Sequence, residues 1–346
     1  MACPKVSLRE TGGLQQETAT PPWAALEGET VSKRTPASCT IVVCTRNRPE
    51  HLERCLAAVS RQNYPSYEVL VVDNASDGDQ TRNVALKYNT RYVVEGVVGL
   101  SRARNQGLAH SRGEIVAYID DDAVPEPDWL SCLLEGFSAP EVMAVTGRVF
   151  LPVNANLAKY RMHPFTSPEA PTAESSTLDS RMPGWFDRVN FRGLGIGANM
   201  AFRRAALEKL GGFDVRLGRS APLKGCEETY AFFSLISRGY QVAYACRAVV
   251  HHPWGATETE MWARRMADLY AAAAYAAFLF FEEPDYRGAT LDCVARRVRR
   301  NFGRVNGKGN GDGMMMRNDL FPRRRVLLAM ASGPFLYLRS LFTQFP

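Results

Sequence analysis

The feature that most constrains this chain is a set of short, β-branched runs that each end on a polar or acidic residue and are spaced by helical segments. Residues 39–45 read CTIVVCT, 67–73 YEVLVVD, 91–96 RYVVEG and 114–120 EIVAYID. Apolar runs without alternation are buried on both faces, as parallel strands are. Between them, Pro49 can open a helix in which Leu52, Cys55, Leu56 and Val59 share one face. Residues 101–110 have a helical pattern as well. The order predicts an α/β fold with a mostly parallel sheet and helices on both faces. Such sheets bind ligands beyond the C-terminal ends of their strands. Thr45, Asp73 and Asp120 to Asp122 all stand at such ends.

The rest of the chain organises around that core. Residues 1–38 are polar, with Pro21, Pro22 and Pro36, and read as a flexible leader; residues 39–256 form the α/β domain. Within it, 152–192 carries the Pro/Ser/Thr/Glu-rich TSPEAPTAESST and is expected to be a mobile loop. EETYAFFSLISRGY predicts a helix and VAYACRAVVHH an extended segment. Residues 257–346 form a helical, basic extension. The net charge of +6 is concentrated there: residues 286–325 hold eleven Lys/Arg against three Asp/Glu, a local +8, so the remainder sums to −2. That distribution excludes a whole-surface nucleic-acid binder. The eight cysteines lack metal-ligand spacing and read as free thiols in a reducing compartment. The start of the chain is unlike a signal peptide. Residues 269–281 and 326–338 are apolar but too short to span a bilayer. The protein is expected in the cytoplasm.

Asp120, Asp121 and Asp122 carry the sharpest chemistry. Adjacent carboxylates repel, and nothing basic lies near them in sequence, so an external cation is their natural partner. Hard oxygen ligands favour Mg²⁺ or Mn²⁺, which bridge diphosphate oxygens. An acidic turn that caps the next helix is the alternative. GLGIGAN, with Gly195 and Gly197, would let backbone N–H groups approach a ligand. It is not a dinucleotide fingerprint.

CTRNRPEHLERCL, EVLVVDNASDG, GLSRARNQGLAHSRGEIVAYIDDDAVPEPDWL, GIGANMAFRRAALEKLGGFD, GCEETYAFFSLISRGY and CRAVVHH occur in an order that resembles glycosyltransferase family 2 on the GT-A fold. The likeness covers roughly residues 39–252. It implies a GT-A-type mixed, mostly parallel sheet with a helical C-terminal extension. Thr45, Arg46, Asp73, Arg102, Arg104, Asn105, Asp120, Asp121, Gly197 and Asn199 would line the nucleotide-sugar site. Asp73 would accept from the base ring, and arginine suits phosphate because its guanidinium satisfies two acceptors at once. The DxD pattern falls on Asp120 and Asp122, with Asp122 closest to the metal. His251 or His252 would complete the metal site, imidazole favouring Mn²⁺ over Mg²⁺. Glu228 stands at the catalytic-base position with Glu227 beside it. A glutamate where the family more often has aspartate adds one methylene. Stabilisation of a helix N-terminus is the other role for such acids.

The resemblance implies an inverting glycosyltransferase, of hexosyltransferase type, that is metal-dependent and moves a sugar from a nucleotide-diphosphate donor to an acceptor hydroxyl on a glycan, lipid-linked sugar, peptide or small molecule. A sugar-phosphate nucleotidyltransferase and a non-catalytic nucleotide-sugar-binding module are the alternatives. The basic extension suits peripheral contact with an anionic membrane, or else a solvated face on a helix packed against the catalytic domain. No motif supports nucleic acid.

Overall fold

The computed structural model describes residues 37–150, 174–252, 257–302 and 322–343. The expected strands and helices alternate: β1 (Cys39–Thr45), α1 (Pro49–Val59), β2 (Tyr67–Asn74), α2 (Gln80–Lys87), β3 (Arg91–Glu95), α3 (Leu100–His110) and β4 (Ile115–Asp120). They continue with β5 (Val124–Pro125), α4 (Trp129–Glu135), β6 (Val142–Phe150), β7 (Ser176–Leu178), α5 (Trp185–Asp187) and a π-helical turn, Arg188–Arg192. Next come β8 (Asn199–Arg203), α6 (Arg204–Lys209), α7 (Glu227–Ser237) and β9 (Gln241–His251). The C-terminal helices are α8 (Glu258–Glu282), α9 (Arg287–Phe302) and α10 (Arg323–Phe342).

The nine strands form one mixed sheet in the order β3-β2-β1-β4-β8-β6-β9-β5, with β7 added on β9. The first four are parallel, and β8 runs antiparallel between β4 and β6. β6 and β9 are parallel. Side chains alternate across the sheet, as the two-residue period requires. Ile41, Val43 and Val71 face a core shared with Leu52, Leu56 and Trp129 of α1 and α4. Val42, Leu70 and Val72 face the opposite core, with Phe232, Phe233 and Ile236 of α7. Each fully buried large aliphatic side chain contributes roughly 1.5–3 kcal/mol, so both helix layers are pinned to the sheet.

One expectation changes. The segment taken as a mobile loop up to residue 192 is ordered from β7 onward: Leu178 pairs with Val242 of β9, and Phe186 and Val189 enter the core. Residues 151–173 lie outside the described residues, as do the leader up to residue 36 and the Gly/Asn-rich stretch within 303–321. The C-terminal extension packs on the catalytic domain, as the apolar stretch at 269–281 suggests: Ala274, Tyr275, Phe278 and Leu279 of α8 join the α7 side of the core. The seven cysteines among the described residues are all free thiols.

Candidate active site

The strand order reverses between β1 and β4, opening a crevice at their C-terminal ends. Asp120 closes β4, and the chain turns through Asp121 and Asp122 into β5. Asp120, Asp122 and His252 each bring one ligand atom within 4.8 Å of the others. His252 Nε2 stands 3.0 Å from Asp122 Oδ1 and 3.6 Å from Asp120 Oδ2. His251, its neighbour, drops out of the metal set: its Nε2 meets Glu126 Oε1 at 2.5 Å and its ring stacks on Phe150. Successive side chains on an extended segment point to opposite sides, which separates the two histidines.

The electrostatics follow from burial and pairing. Burial would raise the Asp120 carboxyl, but the hydrogen bond from His252 and the charge of Arg104 hold it well below the usual range. Asp122 is also lowered, burial being outweighed by His252. Burial disfavours His252 protonation, yet the two carboxylates override it and lift its pKa to about 9. Asp121 is pushed up to about 6 by burial, even though the Thr45 hydroxyl donates to it at 2.7 Å. The residues fit a divalent cation. Two carboxylates and an imidazole, each offering one ligand atom toward the others, are a donor set that suits Mn²⁺ or Mg²⁺. Its other ring nitrogen, Nδ1, is buried without a hydrogen-bond partner.

The aspartates are less isolated than their sequence neighbours suggested. Arg48, in the β1–α1 loop, reaches Asp121 Oδ1 at 3.1 Å and Asp122 Oδ2 at 3.2 Å. Arg104 Nη2 lies 3.4 Å from Asp120 Oδ1 and donates to the Gly197 carbonyl at 3.2 Å. Nη1 of Arg104 pairs with Glu227 Oε1 at 2.5 Å, and both side chains are over nine-tenths buried. A Cβ at Gly197 would fall 2.5 Å from Arg104 Nη2, so glycine there makes room for the guanidinium. At Gly195 a Cβ would strike the Thr146 hydroxyl at 1.9 Å. These glycines admit protein side chains.

Glu227 and Glu228 open α7, but their surroundings differ. Glu227 is committed to Arg104. Glu228 is half-buried, and no side chain donates to it among the described residues. Burial pushes its pKa up to about 7, with Glu227 adding to the rise and Arg104 opposing it. One acid is therefore committed to an ion pair and the other is poised to exchange a proton near neutrality.

At the end of β2, Asp73 accepts from the Ser76 N–H at 3.0 Å and from the Tyr92 hydroxyl at 2.6 Å. The loops after β1 and β2 are tied together: Asn47 Nδ2 donates to Asp77 at 2.9 Å, and the Asp77 N–H donates to Asn47 Oδ1 at 2.7 Å. Arg46 is exposed and donates from Nε to the Ala75 carbonyl at 3.4 Å. Arg102 is half-buried, its stem lying over Gly99. Two candidates turn out to hold the frame. Asn105 uses its whole amide on the main chain of Phe213, donating to O and accepting from N at 2.8 Å each. Asn199 is fully buried, accepts from Trp129 Nε1 at 2.8 Å and donates to the Arg148 and Ala248 carbonyls.

The sequence reading missed Arg48, and also Arg219 and Arg264. Arg264 belongs to α8, outside the family-like segment, where burial and the charge of Arg219 draw its pKa down to about 10, while Asp120 and Asp122 act in the other direction. Its only sequence signal was the pair of arginines in EMWARRMADLY.

Proteins of known kind match the chain in sequence and in fold. The Glycosyl transferase family 2 model matches residues 40–211. Glycosyltransferase AglE of Haloferax volcanii is 35% identical over 136 residues, covering 37% of this chain and 44% of that protein. Succinoglycan biosynthesis protein ExoM of Rhizobium meliloti is 32% identical over 222 residues, covering 62% of this chain and 66% of that protein. The chain thus spans under half of the first relative and about two thirds of the second. Among solved structures, the mannosyltransferase PcManGT of Pyrobaculum calidifontis, in complex with GDP-Man and Mn²⁺, matches with a TM-score of 0.54 at 19% identity, over 90% of this chain and 89% of its own. S. aureus TarS in complex with UDP matches with a TM-score of 0.53 at 15% identity, over 87% and 89%. At those identities the likeness is one of fold, the GT-A arrangement. The family match runs through β1, β2, β4 and β8 and includes the three aspartates, and the chain belongs to glycosyltransferase family 2.

Proposed function

We propose that the protein is a metal-dependent, inverting glycosyltransferase that uses a nucleotide-diphosphate sugar. The observation that carries this reading is the division of labour in one crevice: a convergent Asp120–Asp122–His252 donor set and, separately, Glu228 with a pKa of about 7. Asp120, Asp122 and His252 would hold Mn²⁺ or Mg²⁺. That cation supplies positive charge for the leaving diphosphate. Arg48 pairs with Asp121 and Asp122, the charge of Arg219 acts on Asp120 and that of Arg264 on Asp120 and Asp122, and these guanidinium groups suit the remaining phosphate oxygens. Thr45, Arg46, Asp73 and Arg102 line the base and ribose side.

Glu228 takes the proton of the acceptor hydroxyl as that oxygen forms its bond to the anomeric carbon. The bond from that carbon to the phosphate oxygen breaks, and its electron pair leaves with the nucleoside diphosphate. A single displacement inverts the anomeric centre. Arg104 holds Glu227 in place through their ion pair, beside Glu228. The family relatives carry glycosyltransferase names, and the fold neighbours hold GDP-Man with Mn²⁺ or UDP, which supports this donor class. The acceptor is a hydroxyl of a glycan, lipid-linked sugar, peptide or small molecule. We also read the enzyme as a cytoplasmic protein with peripheral contact to a membrane. Among the described residues no helix is long and apolar enough to cross one.

A thermal-shift screen of GDP- and UDP-sugars with and without Mn²⁺ tests the proposal. A ligand at about 100 times its Kd adds about 2.7 kcal/mol of stability. One donor should stand out only when metal is present, and an acceptor hydroxyl should then release the nucleoside diphosphate. Pyrophosphate release from a nucleoside triphosphate and a sugar phosphate would replace this reading with nucleotidyl transfer, and absence of both reactions would leave a binding module.

A further inference from the structure

Helix α10 buries one stripe and leaves an unusual one open. Val326, Ala329, Gly333 and Tyr337 pack inward, and Gly333 approaches α8 so closely that a Cβ would lie 2.5 Å from the Ala273 carbonyl oxygen. The opposite side of a solvated helix is normally polar. Here Leu328 is 55% exposed, Phe335 65%, Leu338 50% and Phe342 83%. The helix contains no acidic residue, and its charges are Arg323, Arg324, Arg325 and Arg339.

Three of those arginines occupy the first turn, where the helix dipole is positive and repels them. Pro322 precedes them, and no side chain caps the helix. Arg323 Nη2 donates to the Phe302 carbonyl at 3.3 Å, which brings the C-terminal end of α9 to the same place. Arg296 and Arg299 are exposed near that end. A twofold contact with a second copy could pair the apolar stripe with itself, yet the second helix would bring no carboxylate to Arg323, Arg324, Arg325 and Arg339. A surface that is anionic outside and apolar within satisfies both halves of the pattern.

We infer that the outer face of α10 docks onto an anionic lipid surface. The helix lies in the plane of the interface, with Arg299, Arg324 and Arg325 on headgroup phosphates and Leu328, Phe335, Leu338 and Phe342 in the acyl boundary. The inference rests on the peripheral contact proposed above and is independent of the transfer chemistry. It also sorts the basic residues. Arg297 pairs with Asp187 at 2.8 Å and donates to the Phe191 carbonyl at 2.7 Å, so it holds the fold together.

The test is flotation of the full chain with phosphatidylcholine vesicles, alone or mixed with phosphatidylglycerol. The wild type should float with the anionic vesicles only and be released by salt. The triple variants Arg299→Gln/Arg324→Gln/Arg325→Gln and Phe335→Ser/Leu338→Ser/Phe342→Ser should each keep the wild-type melting temperature and lose binding, the charge variant by about 100-fold. Failure of the wild type to float, or flotation of both stable variants as wild type, overturns the proposal. So does a vesicle-free dimer that the Phe/Leu variant dissociates, which would assign the face to a second copy. Protection of the face from hydrogen exchange in a vesicle-free monomer would assign it to the chain's own remaining segments. Donor turnover without vesicles is read in parallel, so loss of docking and loss of the transferase reading are distinguishable.

Discussion

Replacing Glu228 with glutamine isolates the proposed base. The carboxyl stands at the N-terminus of α7, where the helix dipole alone would favour its charge. Burial and the adjacent Glu227 win, and it titrates at about 7. At pH 7 about half of the free enzyme therefore carries a competent base, and at pH 6 about a tenth. kcat/KM should rise tenfold per pH unit below that point and level off above it. Glu228→Gln keeps the shape and removes the proton acceptor, so kcat should fall by about 10²–10⁴, or roughly 3–5.5 kcal/mol of barrier. The acidic limb should vanish with it, while calorimetric binding of nucleoside diphosphate and metal is unchanged.

The same shift has a thermodynamic signature with the opposite sense. The folded carboxyl titrates above its ordinary value of 4.5. Its contribution to stability is therefore complete below that pH and is lost as pH climbs through 7, by at most about 3 kcal/mol and less for a half-buried group. Glu228→Gln should melt higher than wild type at pH 8 and lose that advantage at pH 4. A variant that retains turnover within tenfold, or that keeps the acidic limb, moves the base to another residue.

Three further substitutions separate metal from frame. Asp122→Ala and His252→Ala should each abolish the Mn²⁺-dependent part of the donor's thermal shift, and equilibrium binding of Mn²⁺ alone should weaken in both; undiminished metal affinity in either removes that residue from the site. Arg104→Met leaves Glu227 buried without its partner, which costs about 3–5 kcal/mol. Chemical denaturation should show that loss, and the double variant Arg104→Met/Glu227→Gln should recover part of it. If it recovers nothing, the damage lies with the Gly197 carbonyl and not with the ion pair.

Which parts of the site were readable depends on the range of the interactions. β1, β2 and β4 are announced by continuous apolar runs because both sheet faces are covered, so their polar and acidic ends, Thr45, Asp73 and Asp120, can be gathered from the sequence. β6 was not recognised: Thr146, Gly147 and Arg148 interrupt its apolar pattern, and its place between β8 and β9 is secured by pairing with strands about 55–100 residues away. The choice between His251 and His252 turned on a single step along an extended chain, and local pattern does not count that step reliably. Asn105 and Asn199 illustrate a different limit. An asparagine in a family-like segment looks the same in sequence whether its amide meets a ligand or a distant backbone, and here the main chains of Phe213, Arg148 and Ala248 claim both. Arg48 and Arg264 mark the same boundary from the other side. Their approach to the aspartates is made by the turn after β1 and by the packing of α8, so no spacing rule connects them. The carboxylates of the crevice are thus local and legible, while the cations that set their protonation arrive by tertiary contact. The charge balance that distinguishes Glu228 from Glu227 could be assigned only after Arg104 was seen to reach across from α3 to α7.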